Sequence, residues 1–184
     1  MVGVAEADGV SWDGKYAGRT AGPPRLPEVF APYADEVPTA GHALELACGF
    51  GQASVWLAER GLTVQAVDVS AVAIEQAQGL ASSHGVGDRC TFSVADLDDG
   101  LTPGPPATMI LCHRFRDPAL YSPIRDRLAA DGLLAISVLS EVGAEPGPFR
   151  ARAGELRKAF AGLQPLAAGE GDGQAWLLAR RSRR

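Results

Sequence analysis

The chain has 184 residues, of which 46% are hydrophobic and 21% are charged, and its formal net charge is −5. This composition is typical of one globular domain, and the negative charge argues against general nucleic-acid binding. No apolar run approaches the roughly 20 residues that a membrane-spanning helix needs, and the N-terminus lacks the pattern of a secretory signal, so no membrane contact is expected.

The predicted elements alternate between strands and helices. The first 22 residues are rich in Gly, Ala and Asp and predict an arm, whereas residues 23–184 are expected to form a single domain. Ser70 is the expected N-cap of one helix. The hydrophobic pattern predicts strands at 42–47, 63–69, 90–96, 106–112, 133–140 and 173–181, and helices within 23–37 and at 52–61, 71–85, 117–132 and 150–162. Such alternation indicates a parallel sheet whose ligands bind beyond the carboxyl ends of the strands.

Cysteine usage argues against two kinds of site. Cys48, Cys90 and Cys112 are odd in number and widely spaced. They predict neither a disulfide framework nor a zinc site, and no metal centre is expected. A reducing, cytoplasmic location follows from this pattern.

The turn after the first predicted strand contains two glycines. It reads Glu45-x-Ala47-Cys48-Gly49-Phe50-Gly51 and leads into a helix. Glycine lets the backbone turn tightly and lets a ligand approach closely, and the helix points free N–H groups at that ligand. Asp68 ends the next strand, where a carboxylate can accept hydrogen bonds from both ribose hydroxyls of a nucleoside. The turn lacks the lysine of a Walker A element.

Two nucleoside cofactors fit such a turn. A dinucleotide site prefers a third glycine where Ser54 stands, and Glu45 would face its pyrophosphate unfavourably. A carboxylate beside a sulfonium or ammonium group is favourable, so Glu45 favours S-adenosylmethionine. A nicotinamide-dependent oxidoreductase and a non-catalytic cofactor-binding module stay open as alternatives, the latter because Ala47 and a short final hairpin fit a degenerate pocket.

The chain resembles the class I S-adenosylmethionine-dependent methyltransferases at three places. They are the stretch "ELACGFG", the acidic end of the second strand, and "VADLDD" after the third strand. The resemblance implies a three-layer Rossmann-like α/β fold with a mostly parallel seven-stranded sheet and an antiparallel C-terminal strand. It implies methyl transfer to a small molecule, with S-adenosylhomocysteine as product. The cofactor-binding residues that it implies are Glu45, Ala47, Cys48, Gly49, Gly51, Asp68, Val69, Asp96, Leu97 and Cys112.

Both ends of the chain resemble a narrower group. "WDGKYAGR" and "FRARAGELRKAF" are similar to segments of the tellurite-resistance methyltransferases of the TehB type. In that group the N-terminal aromatic segment folds over the cofactor, which implies Tyr16 and Arg19 as lid residues. The resemblance points to a small, soft, anionic nucleophile such as a thiol or a chalcogen oxyanion. The stretch 167–174, between the last two predicted strands, is shorter than the polar insert of that group.

The turn after the fourth strand is where the methyl group is expected to be transferred, and it places His113 and Arg114 as candidate catalytic residues. His113 is the nearest candidate general base, which a hydroxyl or amine acceptor would need and a thiolate would not. Arg114 or Arg116 can hold an anionic substrate, and a surface salt bridge to Asp117 is the alternative. The sequence carries no signal for the number of subunits in the protein.

Overall fold

The computed structural model describes residues 4–183, without the side chains of residues 4–8 and 10. In this range the strands are β1 (His42–Leu46), β2 (Thr63–Asp68), β3 (Cys90–Val94), β4 (Ala107–His113), β5 (Leu128–Leu139), β6 (Gln164–Gly171) and β7 (Gln174–Arg180). The α-helices are α1 (Val4–Tyr16), α2 (Gln52–Glu59), α3 (Ala71–Ser83), α4 (Tyr121–Arg127) and α5 (Glu155–Ala159). None of the described helices is long and apolar enough to cross a membrane.

The strands form one sheet in the order β3-β2-β1-β4-β5-β7-β6. Strands β1 to β5 pair in parallel, and β7 runs antiparallel to both β5 and β6. The predicted mostly parallel, seven-stranded sheet is confirmed. The strand order reverses between β1 and β4, so a crevice opens beyond the carboxyl ends of these two strands.

Alternation along the strands supplies apolar side chains to both faces of the sheet. From β1, Leu44 and Leu46 pack in a cluster that also contains Ile124 of α4 and Leu156 of α5. Ala43 packs in the opposite cluster, with residues of α2, α3 and the segment 26–37. The sheet is therefore the middle of three layers, and Glu45 lies on the same face as Ala43.

Two parts of the chain differ from the prediction. The arm contains helix α1, which packs on α3, and residues 1–3 of the predicted arm lie outside the described residues. The stretch that was expected to connect the last two strands belongs to β6 and its hairpin. Asp172 and Gly173 join β6 to β7 and have φ values of 50° and 76°. An Asp-Gly pair with positive φ at both positions is the turn that a two-residue hairpin prefers, so this signal was present in the sequence.

Several predicted helices are shorter than expected. The helix predicted at 117–132 ends at Arg127, and the chain becomes extended from Leu128. The helix predicted at 150–162 contains α-helix only at Glu155–Ala159. In the proline-rich segment 23–37, only Ala31–Glu36 is helical, as a 3₁₀-helix. Proline lacks an N–H donor and restricts the residue before it, which limits a helix in that segment. Ser70 caps α3 as predicted, since its Oγ accepts from the N–H of Ala73 at 3.1 Å.

Candidate active site

A cleft of about 920 Å³ lies beyond the carboxyl ends of β1, β2 and β4. Most of the predicted site residues line it, although they come from separate parts of the chain. They are Tyr16, Arg19, Glu45, Ala47, Cys48, Gly49, Asp68, Val69, Asp96, Leu97, His113 and Arg114. Gly51 and Cys112 do not line the cleft.

Three residues of the turn between β1 and α2 have the left-handed backbone conformation, with positive φ. The φ values of Ala47, Gly49 and Gly51 are 53°, 52° and 70°. A Cβ at Gly51 would lie 2.7 Å from the Cβ of Ala77 and 3.0 Å from Cε1 of Phe92. Gly51 therefore allows α2 to pack against α3 and β3, and it does not line the cleft. Ala47 holds a conformation that favours glycine.

The C-terminal end of α1 lies over this turn. The Oη of Tyr16 is 3.1 Å from where a Cβ of Gly49 would stand, and the Tyr16 ring packs edge-on against Phe50 with centroids 4.8 Å apart. Oδ1 of Asp13 accepts hydrogen bonds from the Ser70 hydroxyl and, at 3.2 Å, from the N–H of Val72. These contacts fix α1 to the first turn of α3, where the positive end of the helix dipole favours a carboxylate.

Asp68, at the end of β2, is 5% exposed and faces the turn. Its Oδ2 accepts from the N–H of Gly49 at 2.8 Å, and its Oδ1 accepts from the N–H of Ser70 at 3.0 Å. Burial raises the pKa of Asp68, and the backbone hydrogen bonds oppose that shift. A carboxylate has about four acceptor sites, so each oxygen can still accept one hydroxyl proton from a ligand.

Asp96, after β3, has one buried oxygen without a hydrogen-bond partner among the described residues. Its Oδ1 accepts from the N–H of Asp98 at 2.8 Å, whereas its Oδ2 is buried and unpaired. Buried acceptors in folded proteins are nearly always paired, so an unpaired one in a cleft indicates a place for a ligand donor. The apolar side chain of Leu97 lies beside it and is 5% exposed.

Glu45 is buried in β1 and accepts a hydrogen bond from the hydroxyl of Ser54 on α2. Burial raises its pKa to about 7, and the hydrogen bond from Ser54 opposes the shift. No described residue places a cation against this carboxylate. A buried carboxylate of this kind suits a positively charged ligand and disfavours a pyrophosphate.

The end of β4 brings a histidine and an arginine to the cleft. His113 pairs in register with Ser137 of β5, and its Nδ1 lies 2.6 Å from the Ser137 Oγ. Burial and the neighbouring Arg114 lower the pKa of His113 to about 4, so the ring is uncharged at neutral pH. Arg114 has a φ of 61°, and its exposed guanidinium forms no hydrogen bond or ion pair with the described side chains.

One residue of the predicted cofactor site, Cys112, lies away from the cleft. Cys112 is 1% exposed and faces the opposite cluster, where its thiol donates to the carbonyl of Phe115. Its side chain belongs to the core and does not line the cleft. Burial raises the pKa of the Cys112 thiol to about 12 and that of Cys48 well above its usual value, which favours the uncharged thiol at both positions.

Arg116 binds Glu155 and not Asp117. The two side chains form a bidentate pair, with Nε–Oε1 and Nη2–Oε2 distances of 2.7 and 2.8 Å, and the Tyr121 hydroxyl also donates to Oε1. Sequence spacing cannot reveal this pair, because Glu155 comes from a distant helix. Because the Arg116 guanidinium is paired with Glu155, Arg114 is the one of these two arginines whose charge is available to a substrate.

Sequence reasoning missed the residues that form the other side of the cleft. Arg25 and the apolar Leu26 and Val29 come from the proline-rich segment, and Phe115 follows β4. Arg25 is exposed and makes no side-chain hydrogen bond with the described residues. No motif marks these positions, since they reach the cleft only through the path of a loop.

Comparisons with known proteins give one family match and several similar folds. Residues 43–132 match a sequence family described as a methyltransferase domain. Over 60 residues the chain is 40% identical to the methyltransferase GfsG of Streptomyces halstedii; the match covers 32% of this chain and 22% of that protein. The chain thus spans about a fifth of the length of this curated relative.

Two solved structures share the fold over nearly the whole chain. TehB from Haemophilus influenzae superposes with a TM-score of 0.75 at 17% identity, covering 94% of this chain and 66% of that one. The geranyl diphosphate C-methyltransferase of Streptomyces coelicolor A3(2), solved with Mg²⁺, geranyl diphosphate and S-adenosyl-L-homocysteine, superposes with a TM-score of 0.72 at 14% identity, covering 100% of both chains. At these identities the likeness concerns the fold.

Proposed function

We propose, from the premise that this chain belongs to the class I methyltransferases, that it transfers a methyl group from S-adenosylmethionine to a small-molecule acceptor. The observation that carries the proposal is the arrangement of Glu45, Asp68 and Asp96 along one side of the cleft. Each carboxylate comes from the end of a different strand or the turn after it, and Asp68 and Asp96 keep unused acceptor capacity.

The three carboxylates suit different parts of this cofactor. Asp68 would accept from the ribose hydroxyls, and the unpaired Oδ2 of Asp96 would accept from the adenine amine. Glu45 would provide negative charge for the cationic end. S-adenosylmethionine, when bound, supplies an electrophilic methyl group on a positively charged sulfur. The alternative function, a nicotinamide-dependent oxidoreductase, is disfavoured. Ser54 stands where a dinucleotide-binding turn has its third glycine, and its hydroxyl donates a hydrogen bond to Glu45.

Helix α1 acts in this proposal as a cover for the cofactor. Tyr16 lies over Gly49, Arg19 lines the cleft, and Asp13 fixes the helix to α3. Such a cover excludes water from the reacting groups and orients them. The proposal gives Tyr16 and Arg19 the role of lid residues.

The other side of the cleft suits a small anionic acceptor with an apolar part. Arg25 and Arg114 provide positive charge, and Leu26, Val29 and Phe115 provide apolar surface. The low pKa of His113 makes it a weak base, which favours an acceptor that is already an anion, such as a thiolate or a chalcogen oxyanion.

A methyl-transfer screen tests the proposal. The protein is incubated with labelled S-adenosylmethionine and panels of thiols, selenite, tellurite and phenols, and formation of S-adenosylhomocysteine is measured. Transfer to at least one anionic acceptor, lost in Asp68→Ala, is expected. Cofactor binding without transfer to any acceptor would instead support the non-catalytic module.

A further inference from the structure

We propose that Ser137 fixes the tautomer of His113, so that His113 presents an N–H donor at Nε2 to the cleft. Ser137 is thus a positioning residue, and the site selects acceptors that offer an unprotonated atom at this point. The tautomer assignment concerns the chain alone, whereas its consequence for the acceptor rests on the proposed methyl transfer.

The contact between these two residues follows from the sheet. Strands β4 and β5 are parallel, and their register sets His113 directly beside Ser137. The two side chains project from the same face, and the Nδ1–Oγ distance is 2.6 Å. Ser137 is fully buried, with an exposed fraction of 0%.

The buried hydroxyl decides where the ring proton lies. Among the described residues, His113 Nδ1 is the one hydrogen-bond partner of the Ser137 Oγ. A buried O–H needs an acceptor, so the hydroxyl donates to Nδ1. Nδ1 then carries no proton, and the proton of the neutral ring sits on Nε2. The reverse arrangement, with Nδ1–H donating, would leave the Ser137 proton unpaired in the core, which is the unfavourable case.

Two further observations agree with a neutral ring that faces the cleft. Burial and the positive charge of Arg114 lower the pKa of His113. His113 lines the cleft, and its Nε2 is neither paired nor among the buried atoms that lack a partner. Nε2–H is therefore available to a ligand.

His113 and Arg114 together present only donors. A guanidinium has no acceptor, and neither has the outward face of this tautomer. Such a pair recognises an anion or a carbonyl oxygen. It cannot take a proton from a neutral amine or hydroxyl. With an anionic acceptor no proton has to leave: a lone pair of the anion forms the new bond to the methyl carbon, while the carbon–sulfur bond breaks and its electron pair goes to the sulfur, which becomes neutral.

Nitrogen NMR tests the tautomer without any ligand. The chain contains three histidines, so a long-range ¹H–¹⁵N correlation of ¹⁵N-labelled protein at pH 7 gives three ring patterns, and His113→Gln identifies one of them by its loss. The expected pattern has an unprotonated Nδ1 and a protonated Nε2. Ser137→Ala should give a mixture of tautomers. Ser140→Ala is the matched control, because Ser140 is also buried but bonds to residues other than His113.

A protonated Nδ1 in the unaltered protein, or a pattern that Ser137→Ala leaves unchanged, would overturn the proposal. Kinetics then test its consequence: Ser137→Ala should raise the KM for an anionic acceptor about 10-fold with kcat changed less than about twofold. Efficient transfer to a neutral amine that requires His113 would overturn the inferred acceptor class. A correct tautomer in a protein that transfers no methyl group would overturn the proposed function and leave the role of Ser137 standing.

Discussion

The backbone N–H of Gly49 donates a hydrogen bond to Oδ2 of Asp68 over 2.8 Å, which ties the turn after β1 to the end of β2. The N–H of Ser70 binds the other oxygen of the same carboxylate at 3.0 Å. Asp68 thus shapes the turn and also lines the cleft. Its replacement should therefore change both ligand binding and stability, and the two effects can be measured separately.

Asp68→Ala should lower the affinity for S-adenosylmethionine about 100-fold, because charge-assisted hydrogen bonds contribute roughly 1.5–3 kcal/mol each. The free energy of unfolding should also fall by about 2 kcal/mol, since two backbone donors lose their acceptor. Calorimetric titration and thermal unfolding measure the two effects. Asp99→Ala, at the exposed end of the 3₁₀-helix Leu97–Asp99, is the control and should change neither. An unchanged affinity in Asp68→Ala would show that the ribose is held elsewhere.

The anchor of α1 predicts the protease sensitivity of the N-terminal segment. Asp13→Ala removes the hydrogen bonds to Ser70 and Val72, so cleavage in the segment 17–22 should increase about fivefold, the factor that corresponds to ~1 kcal/mol. Ser11→Ala, an exposed position on the same helix, serves as control. S-adenosylmethionine should slow cleavage of the unaltered protein. Equal rates with and without the cofactor would argue against a lid.

Glu45 predicts a pH dependence of stability. Its pKa in the folded protein is about 7, above the ordinary value of 4.5. Its contribution to stability is therefore fully present below pH 4.5 and is lost as the pH rises through about 7. The corresponding fall in the free energy of unfolding is on the order of 3 kcal/mol.

Glu45→Gln keeps an acceptor for the Ser54 hydroxyl but cannot ionise, so most of this fall should disappear when denaturant unfolding is measured from pH 4 to pH 8. Glu75→Gln, at an exposed position on α3, should keep the pH profile of the unaltered protein. Identical profiles for Glu45→Gln and Glu75→Gln would contradict the raised pKa of Glu45.

Substitution of Arg116 should affect stability, whereas substitution of Arg114 should affect catalysis, so the two variants serve as controls for each other. Arg116→Ala breaks the bidentate pair with Glu155 and should lower the free energy of unfolding by about 1–3 kcal/mol. Arg114→Ala should leave stability unchanged but lower kcat/KM for an anionic acceptor about 10- to 100-fold, the loss of one charge-assisted contact. Thermal unfolding and steady-state kinetics on both variants separate the roles. A reversed pattern would mean that Arg116 holds the substrate.

The sequence predicted the parts of the site that local rules control. Glycines in a strand-to-helix turn and an acidic residue at a strand end follow from backbone sterics and from the geometry of parallel sheets, so Gly49 and Asp68 could be placed in advance. Asp96 came from the family resemblance alone. The contacts of Arg116 with Glu155 and of His113 with Ser137 join distant segments. They depend on tertiary packing and strand register, which spacing alone does not reveal. The hairpin at Asp172 and Gly173 carried a local signal that should have predicted β6.

Calorimetric titration of the whole chain with S-adenosylmethionine, S-adenosylhomocysteine and NAD tests the central claim most directly. We expect micromolar dissociation constants for the first two, on the order of 7–9 kcal/mol, and no measurable heat with NAD. Tight binding of NAD without binding of S-adenosylmethionine would contradict the account.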